Sequence, residues 1–290
     1  MLIPKYWAKA SQQIVFPKRL FSKESKSGMI FCWRWSESSE ADARRQAQSA
    51  LAKKVENILR GKKIDDGYFE KAVREEVLKE FRDSKGNLVA AVTRSSLGFR
   101  VLNTSEIAFV DMDYDLSPEP WIFALFKKKQ SPADLRAQWE NAAIERVQSS
   151  FKNLNLSGRL YRTANGLRAM VTSQTIHAQD PLAQDLLYQC GSDALYKKLC
   201  LAQNSFRARL TPKPRRIQMS SPGVKFPFEQ ESEKKKVLEW TQQYETLAGE
   251  FATCEFVKNI GNLQPILKNF QEVVDLHDQE THALEKNILK

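Results

Sequence analysis

The chain has 290 residues, 42% hydrophobic and 28% charged, which is enough apolar material for a sizeable core and too much for wholesale disorder. Lys and Arg number 45 against 35 Asp and Glu, a formal net charge of +10, and a surplus of that sign attracts polyanions such as nucleic acid or phosphorylated ligands. No run approaches the roughly 18 apolar residues of a membrane span, the 4 Cys form no CxxC pair, and residues 1–16 lack an apolar signal core, so a soluble cytoplasmic protein is expected.

In chain order, the aromatic stretch Met29-Ile30-Phe31-Cys32-Trp33-Arg34-Trp35 predicts a strand. Ser36 offers an N-cap to a helix running to about Arg60, with Ala41, Ala43, Ala47, Ala50, Leu51, Val55, Ile58 and Leu59 inward and Gly61 as its stop. Residues 62–74 read as a loop. Residues 77–81 and 88–93, joined by Asp83-Ser84-Lys85-Gly86-Asn87, predict a hairpin, and a short strand follows at about 99–102. Ile107-Ala108-Phe109-Val110 then runs into Asp111-Met112-Asp113-Tyr114-Asp115, as a buried strand delivering carboxylates at its mouth would. Ser131-Pro132 is an N-cap with proline at the first helical position, starting a helix to about Phe151. Residues 159–163 and 167–172 form a second expected hairpin, turning at Ala164-Asn165-Gly166, with helices after it at 181–189 and 192–204. Residues 220–228, with Pro222, Gly223 and Pro227, look like a linker, and from Ser232 onward the pattern is helical, first through Trp240, Tyr244, Leu247, Phe251 and Phe256, then through Leu263 to Leu276. Strands and helices mix without strict alternation, which predicts an α+β fold with a mixed or antiparallel sheet flanked by helices. The expected organisation is a core domain over 1–219, followed by a linker and helical region over 220–290.

Three groups of residues could carry chemistry. Asp111 and Asp113 are two apart and share a face of an extended strand, where two carboxylates repel unless a cation such as Mg²⁺ or Mn²⁺ lies between them; a solvated acidic turn is the plainer alternative. Arg162 and Arg168 flank the second hairpin's turn and could grip a phosphate from both sides, or one of them could pair with the Asp cluster. Arg207, Arg209, Lys213, Arg215 and Arg216 crowd into ten residues with no acid among them; Pro212 and Pro214 are expected to keep the segment extended, either as a phosphate-binding arm or as a solvated basic linker. The runs 127–129 and 234–236, all lysine, read as solvated faces. His177 follows the second hairpin closely enough in sequence to act beside it, His277 and His282 lack metal-ligand spacing and read as surface or capping groups, and the cysteines read as small core hydrophobes. No GxSxG, Walker loop or GxGxxG is present.

An apolar strand ending in Asp-x-Asp (Asp111, Asp113), then a helix and a glycine-containing hairpin (residues 163–168), resembles the catalytic core of archaeo-eukaryotic-type primases and primase-polymerases over about residues 105–175. The resemblance implies an RRM-like sheet, Mg²⁺ or Mn²⁺ on Asp111 and Asp113, and nucleotide-phosphate contacts from the hairpin, Thr163 and Arg168 included. Two features depart from that pattern. Arg168 stands where the family has a hairpin histidine, and the strand-like residues 206–210 carry arginines in place of a third carboxylate. The blocks 3–7, 162–168 and 207–216 are also similar to a group of bacterial proteins, a likeness that supplies no activity. The expectation from the resemblance is a nucleic-acid-associated protein performing metal-dependent nucleotidyl or phosphoryl transfer. The alternative is a non-catalytic module that binds nucleic acid through the basic hairpin and arm, or docks a protein partner through its C-terminal helices.

Overall fold

Alternation of small apolar and polar side chains makes a strand of residues near the amino terminus: Ala8, Ala10 and Ile14 are buried on one face of β1 (Tyr6–Val15). It pairs antiparallel with β2 (Ser27–Ser36), in a register running from Tyr6 opposite Ser36 to Val15 opposite Ser27. Helix α1 (Glu40–Leu59) closes the inner face, packing Ala47, Leu51, Val55 and Ile58 against Ala10, Ile14 and Cys32. Its N-cap is Ser39, whose side chain accepts the Asp42 N–H, rather than Ser36. Ser36 instead donates to the Asp42 carboxylate at 2.8 Å, one turn further in. Gly61 follows the helix at φ +70°, a conformation that costs glycine nothing.

The computed structural model describes residues 1, 3–16, 27–62, 72–114 and 131–290. Their contacts form two units, residues 2–74 and residues 75–290 together with Met1. The sequence-based boundary at 219 falls inside the second unit. Asp115, the lysine run at 127–129 and most of the loop expected at 62–74 lie outside the described residues. Among the described residues no helix is long and apolar enough to cross a membrane.

The second unit is built on two four-stranded antiparallel sheets. β3 (Glu76–Arg82), β4 (Leu88–Arg94) and β5 (Arg100–Thr104) form a meander, and β9 (Phe206–Arg209) adds to the free edge of β5. The other sheet has the order β11 (Cys254–Gly261), β7 (Ser157–Thr163), β8 (Gly166–Val171), β6 (Phe109–Asp113). Helix α2 (Pro132–Asn153) begins with the capping box expected of Ser131, whose partner is Asp134. Helices α3 (Pro181–Gln189), α4 (Ala194–Gln203), α5 (Glu231–Ala248) and α6 (Gln271–Glu280) complete the unit, with a two-residue parallel pair between β10 (Phe251–Ala252) and β12 (Ile288–Leu289). One core joins both sheets to the helices: Phe81, Val92 and Leu102 share it with Phe109, Leu160, Met170, Phe151, Leu187 and Phe270. The fold is α+β, with helices flanking antiparallel sheets and a largely helical C-terminal region.

Two local readings change. The residues around Phe256 are a strand, not a helix, because Cys254 and Ile260 are buried against β7 while a bulge between Phe256 and Lys258 breaks a simple alternation. Pro214 does not prolong an extended segment: it opens a 3-10 turn (Pro214–Ile217), its fixed φ being as well suited to a first helical position as to an extended one.

Candidate functional site

Asp111 and Asp113 lie on one face at the end of β6, as their spacing requires, opposite Arg168 and Gly166 of β8. The strands can close here because residue 166 is glycine: a Cβ on it would lie 1.9 Å from the Met112 carbonyl oxygen. Arg168 is buried, with its side chain 3% exposed against 32% for Asp111. Its Nε donates to Asp111 Oδ1 at 2.7 Å and its Nη2 to Oδ2 at 3.2 Å, a bidentate pair. Nη1 donates to the Arg209 carbonyl at 2.9 Å and faces Cys254 Sγ at 3.5 Å, which ties β8 to β9 and β11. Burial alone would weaken the guanidinium's hold on its proton, but the Asp111 carboxylate more than offsets this and raises its pKa above the ordinary arginine value. Tyr196 strengthens the junction of the two sheets, its hydroxyl 3.2 Å from the carbonyl oxygens of both Phe109 and Arg207.

The hairpin and arm arginines divide into those with carboxylate partners and those without. Arg162 donates to Glu140 at 2.9 and 2.6 Å and to Glu255 at 2.7 Å, stapling β7 to α2 and β11. Thr163 is buried, and its hydroxyl accepts the Asn165 N–H within the turn at 3.4 Å. Arg207 Nη2 donates to both carboxylate oxygens of Glu75, at 2.7 and 2.8 Å, and Glu75 also accepts the Thr93 hydroxyl at 2.6 Å. Arg209, Lys213, Arg215 and Arg216 differ. Among the described residues their side chains make no hydrogen bond or ion pair, and Arg209 Nε and Arg216 Nη1 are buried without a partner.

These four cations are close enough to act on one another and on the acids. Burial, then Arg168 and Arg216, push the Arg209 guanidinium down to about 10, with Asp111 opposing. Burial lowers Lys213, as do Arg209, Arg216 and Arg215, against Asp113; burial and Arg215 lower Arg216, again against Asp113. The acids at the lip of β6 and the cations of the arm therefore share one locality.

The arm itself is held in place by groups that the sequence marked, at most, as helix positions. Buried Tyr244 of α5 donates to the Pro212 carbonyl at 2.6 Å and bonds the Thr211 hydroxyl at 2.7 Å, and Thr211 Oγ1 accepts the Arg100 N–H at 2.9 Å. Ile217 packs on Tyr244 and Ala248, and Trp240 Nε1 donates to the Ser220 carbonyl at 2.8 Å. A solvated linker would not be fixed in this way.

The donor set does not fit a divalent cation shared by Asp111 and Asp113. Both oxygens of Asp111 already serve a buried guanidinium, and the cations of the arm add further positive charge beside it. Among the described residues no three His, Cys, Asp or Glu side chains gather as a metal cage. A cavity of about 590 Å³ lined by residues including Lys79, Phe81, Lys268 and Asp275 includes neither the acids of β6 nor the hairpin and arm cations.

His277 is a further correction, since it is fully buried rather than on the surface. Its ring packs on Phe109 and Tyr161, with Nδ1 3.3 Å from Asp278, which also accepts from the Tyr161 hydroxyl and Arg159. The four cysteines are buried, as expected of small core hydrophobes. Comparison with protein-family models, curated proteins and solved structures found no match to this chain.

Proposed function

We propose that the protein binds the phosphate groups of nucleic acid through a fixed cationic arm made of Arg209, Lys213, Arg215 and Arg216. The observation that carries the reading is that, among the described residues, their side chains make no hydrogen bond or ion pair with a carboxylate, on a segment anchored by Tyr244, Thr211 and Trp240. Like charges gathered in excess of the nearby acids repel one another, and an arriving phosphate relieves the repulsion while releasing counterions. Arg168, Arg162 and Arg207 position strands in this reading instead of meeting the ligand, and α5 holds the arm. No catalytic metal takes part, because Asp111 serves Arg168.

The test is fluorescence anisotropy with a labelled oligonucleotide over a salt series, with EDTA and with Mn²⁺. Metal-independent binding is expected, with a log–log salt slope that falls by about one when Arg215 or Arg216 becomes Ala. Nucleotide incorporation or binding that requires Mn²⁺ and is lost in Asp113→Asn would instead restore the metal-dependent transfer reading. Absence of binding at low salt would remove both.

A further inference from the structure

The first unit has a face with different chemistry. The β1–β2 register sets Trp7 opposite Trp35, Lys9 opposite Trp33, Ser11 opposite Phe31 and Gln13 opposite Met29. These residues alternate with Ala10, Ile14 and Cys32, which α1 covers, so they occupy the face that α1 leaves open. Phe31 is 51% and Met29 60% exposed, and Trp7, Trp33 and Trp35 are partly exposed. Three rings on one strand at every second residue stand about 6.8 Å apart, close to two steps of the roughly 3.4 Å rise per nucleotide. Cations accompany them: Lys9 Nζ lies 5.6 Å from the Phe31 ring centre and 5.9 Å from that of Trp33, and the Arg74 guanidinium lies 4.7 Å over Trp33.

Both halves of this surface point to one occupant. An apolar protein segment would cover the rings but leave Lys9 and Arg74 desolvated against it, a costly arrangement. A duplex would meet the cations but keep its bases stacked on each other. A single strand satisfies both, with unpaired bases laid on the rings and phosphates near the cations. We propose that the open face of β1–β2 binds single-stranded nucleic acid by stacking bases on Phe31, Trp33 and Trp35, with Lys9 and Arg74 meeting the backbone. This inference rests on the rings and goes beyond the arm, which recognises phosphate alone.

The experiment uses the full chain and three labelled probes of one length: an oligo-dT strand, an abasic strand with the same phosphates, and a duplex. Tighter binding of oligo-dT than of either control is expected, and Phe31→Ala should weaken oligo-dT binding by roughly tenfold or more while leaving the abasic strand unaffected. Phe31→Tyr should bind as the parent does. Phe31→Leu, which keeps apolar bulk and so serves as the folding control, should bind like Phe31→Ala. Equal affinity for oligo-dT and the abasic strand, or full binding by Phe31→Leu, would overturn the inference. Arg215→Ala with Arg216→Ala weakens all three probes in proportion if the arm acts, so failure of the arm reading leaves the oligo-dT preference readable.

Discussion

Replacing Asp111 by Asn separates two readings of one carboxylate. As half of a metal pair Asp111 would be dispensable to the fold, whereas as the counter-ion of Arg168 it is part of the structure. Removing one partner of a buried ion pair costs about 3–5 kcal/mol, because the other charge stays buried and uncompensated. Arg168 is the buried member, at 3% exposure, and its Nη1 is already held by the Arg209 carbonyl and Cys254, so the side chain is fixed where it lies. Asn can still accept one of the two guanidinium N–H groups, and Asp111 is 32% exposed, which lets water assist. Both facts place Asp111→Asn at the lower end, about 3 kcal/mol, with Asp111→Ala nearer the upper. In a unit of this size about 3 kcal/mol lowers Tm by roughly 6–12 °C. Asp113, exposed and opposite a glycine, should change by less than about 0.5 kcal/mol on the same substitution. Urea unfolding followed by circular dichroism gives the comparison, with the midpoint shift read at unchanged slope. A cycle with Arg168→Met should show non-additivity of about 2 kcal/mol. An Asp111→Asn protein as stable as its parent would refute the account of the pair.

Burial holds the His277 imidazole below its ordinary 6.5, so the unfolded chain takes up a proton that the folded chain refuses. Stability should therefore be complete above about pH 6.5 and fall as pH drops through the interval beneath it. His277→Phe, which keeps the ring packing, should flatten that slope in urea midpoints measured from pH 5 to 7.5. Asp278 adds a second, lower loss: burial raises its pKa, but hydrogen bonds from His277 and Tyr161 and the charge of Arg159 outweigh this and leave it below 3.8, so its contribution disappears only in stronger acid. Gly166→Ala sets a Cβ 1.9 Å from a backbone carbonyl and should destabilise by more than about 3 kcal/mol, whereas Gly86→Ala meets no atom within 4 Å and should lose only about 1 kcal/mol through its positive φ; thermal melts distinguish them. Arg162→Ala should leave oligonucleotide affinity unchanged in the anisotropy assay, since Glu140 and Glu255 already hold that side chain, and should change stability by no more than about 1 kcal/mol.

What was legible in the sequence follows from where local chemistry dominates. The hairpin of β3 and β4, the helix begun by Ser131-Pro132 and the turn at Gly166 carry their own signals, and each lies where expected. β1 gives a weak signal because Ala8 and Ala10 are small and its outward residues include glutamines, so its partner strand and α1 decide its structure more than its own pattern does. β11 was hidden for a related reason. Its bulge at Phe256/Lys258 breaks the period of two, and the partner that makes it a strand, β7, lies about a hundred residues earlier.

The site shows the same limit in electrostatic form. Six arginines looked alike in the sequence as phosphate ligands, and the fold sorts them by access to a carboxylate. Arg168 meets Asp111 across a strand pair, Arg162 meets Glu140 and Glu255, and Arg207 meets Glu75, all contacts between distant parts of the chain. Each of the three lies within a sheet, where an unpaired guanidinium would be expensive, so the nearby acids are drawn to it. Arg215 and Arg216 sit beyond the end of β9 on a turn that water reaches, and Arg209 at the last residue of that strand is the transition between the two conditions. Of the two described acids at the lip of β6, Asp111 serves Arg168, and Asp113 opposes Lys213 and Arg216 without an ion pair to either. Among the described residues it is thus the pairing, which only the fold determines, that distinguishes the unpartnered cations of the arm from the arginines held by carboxylates.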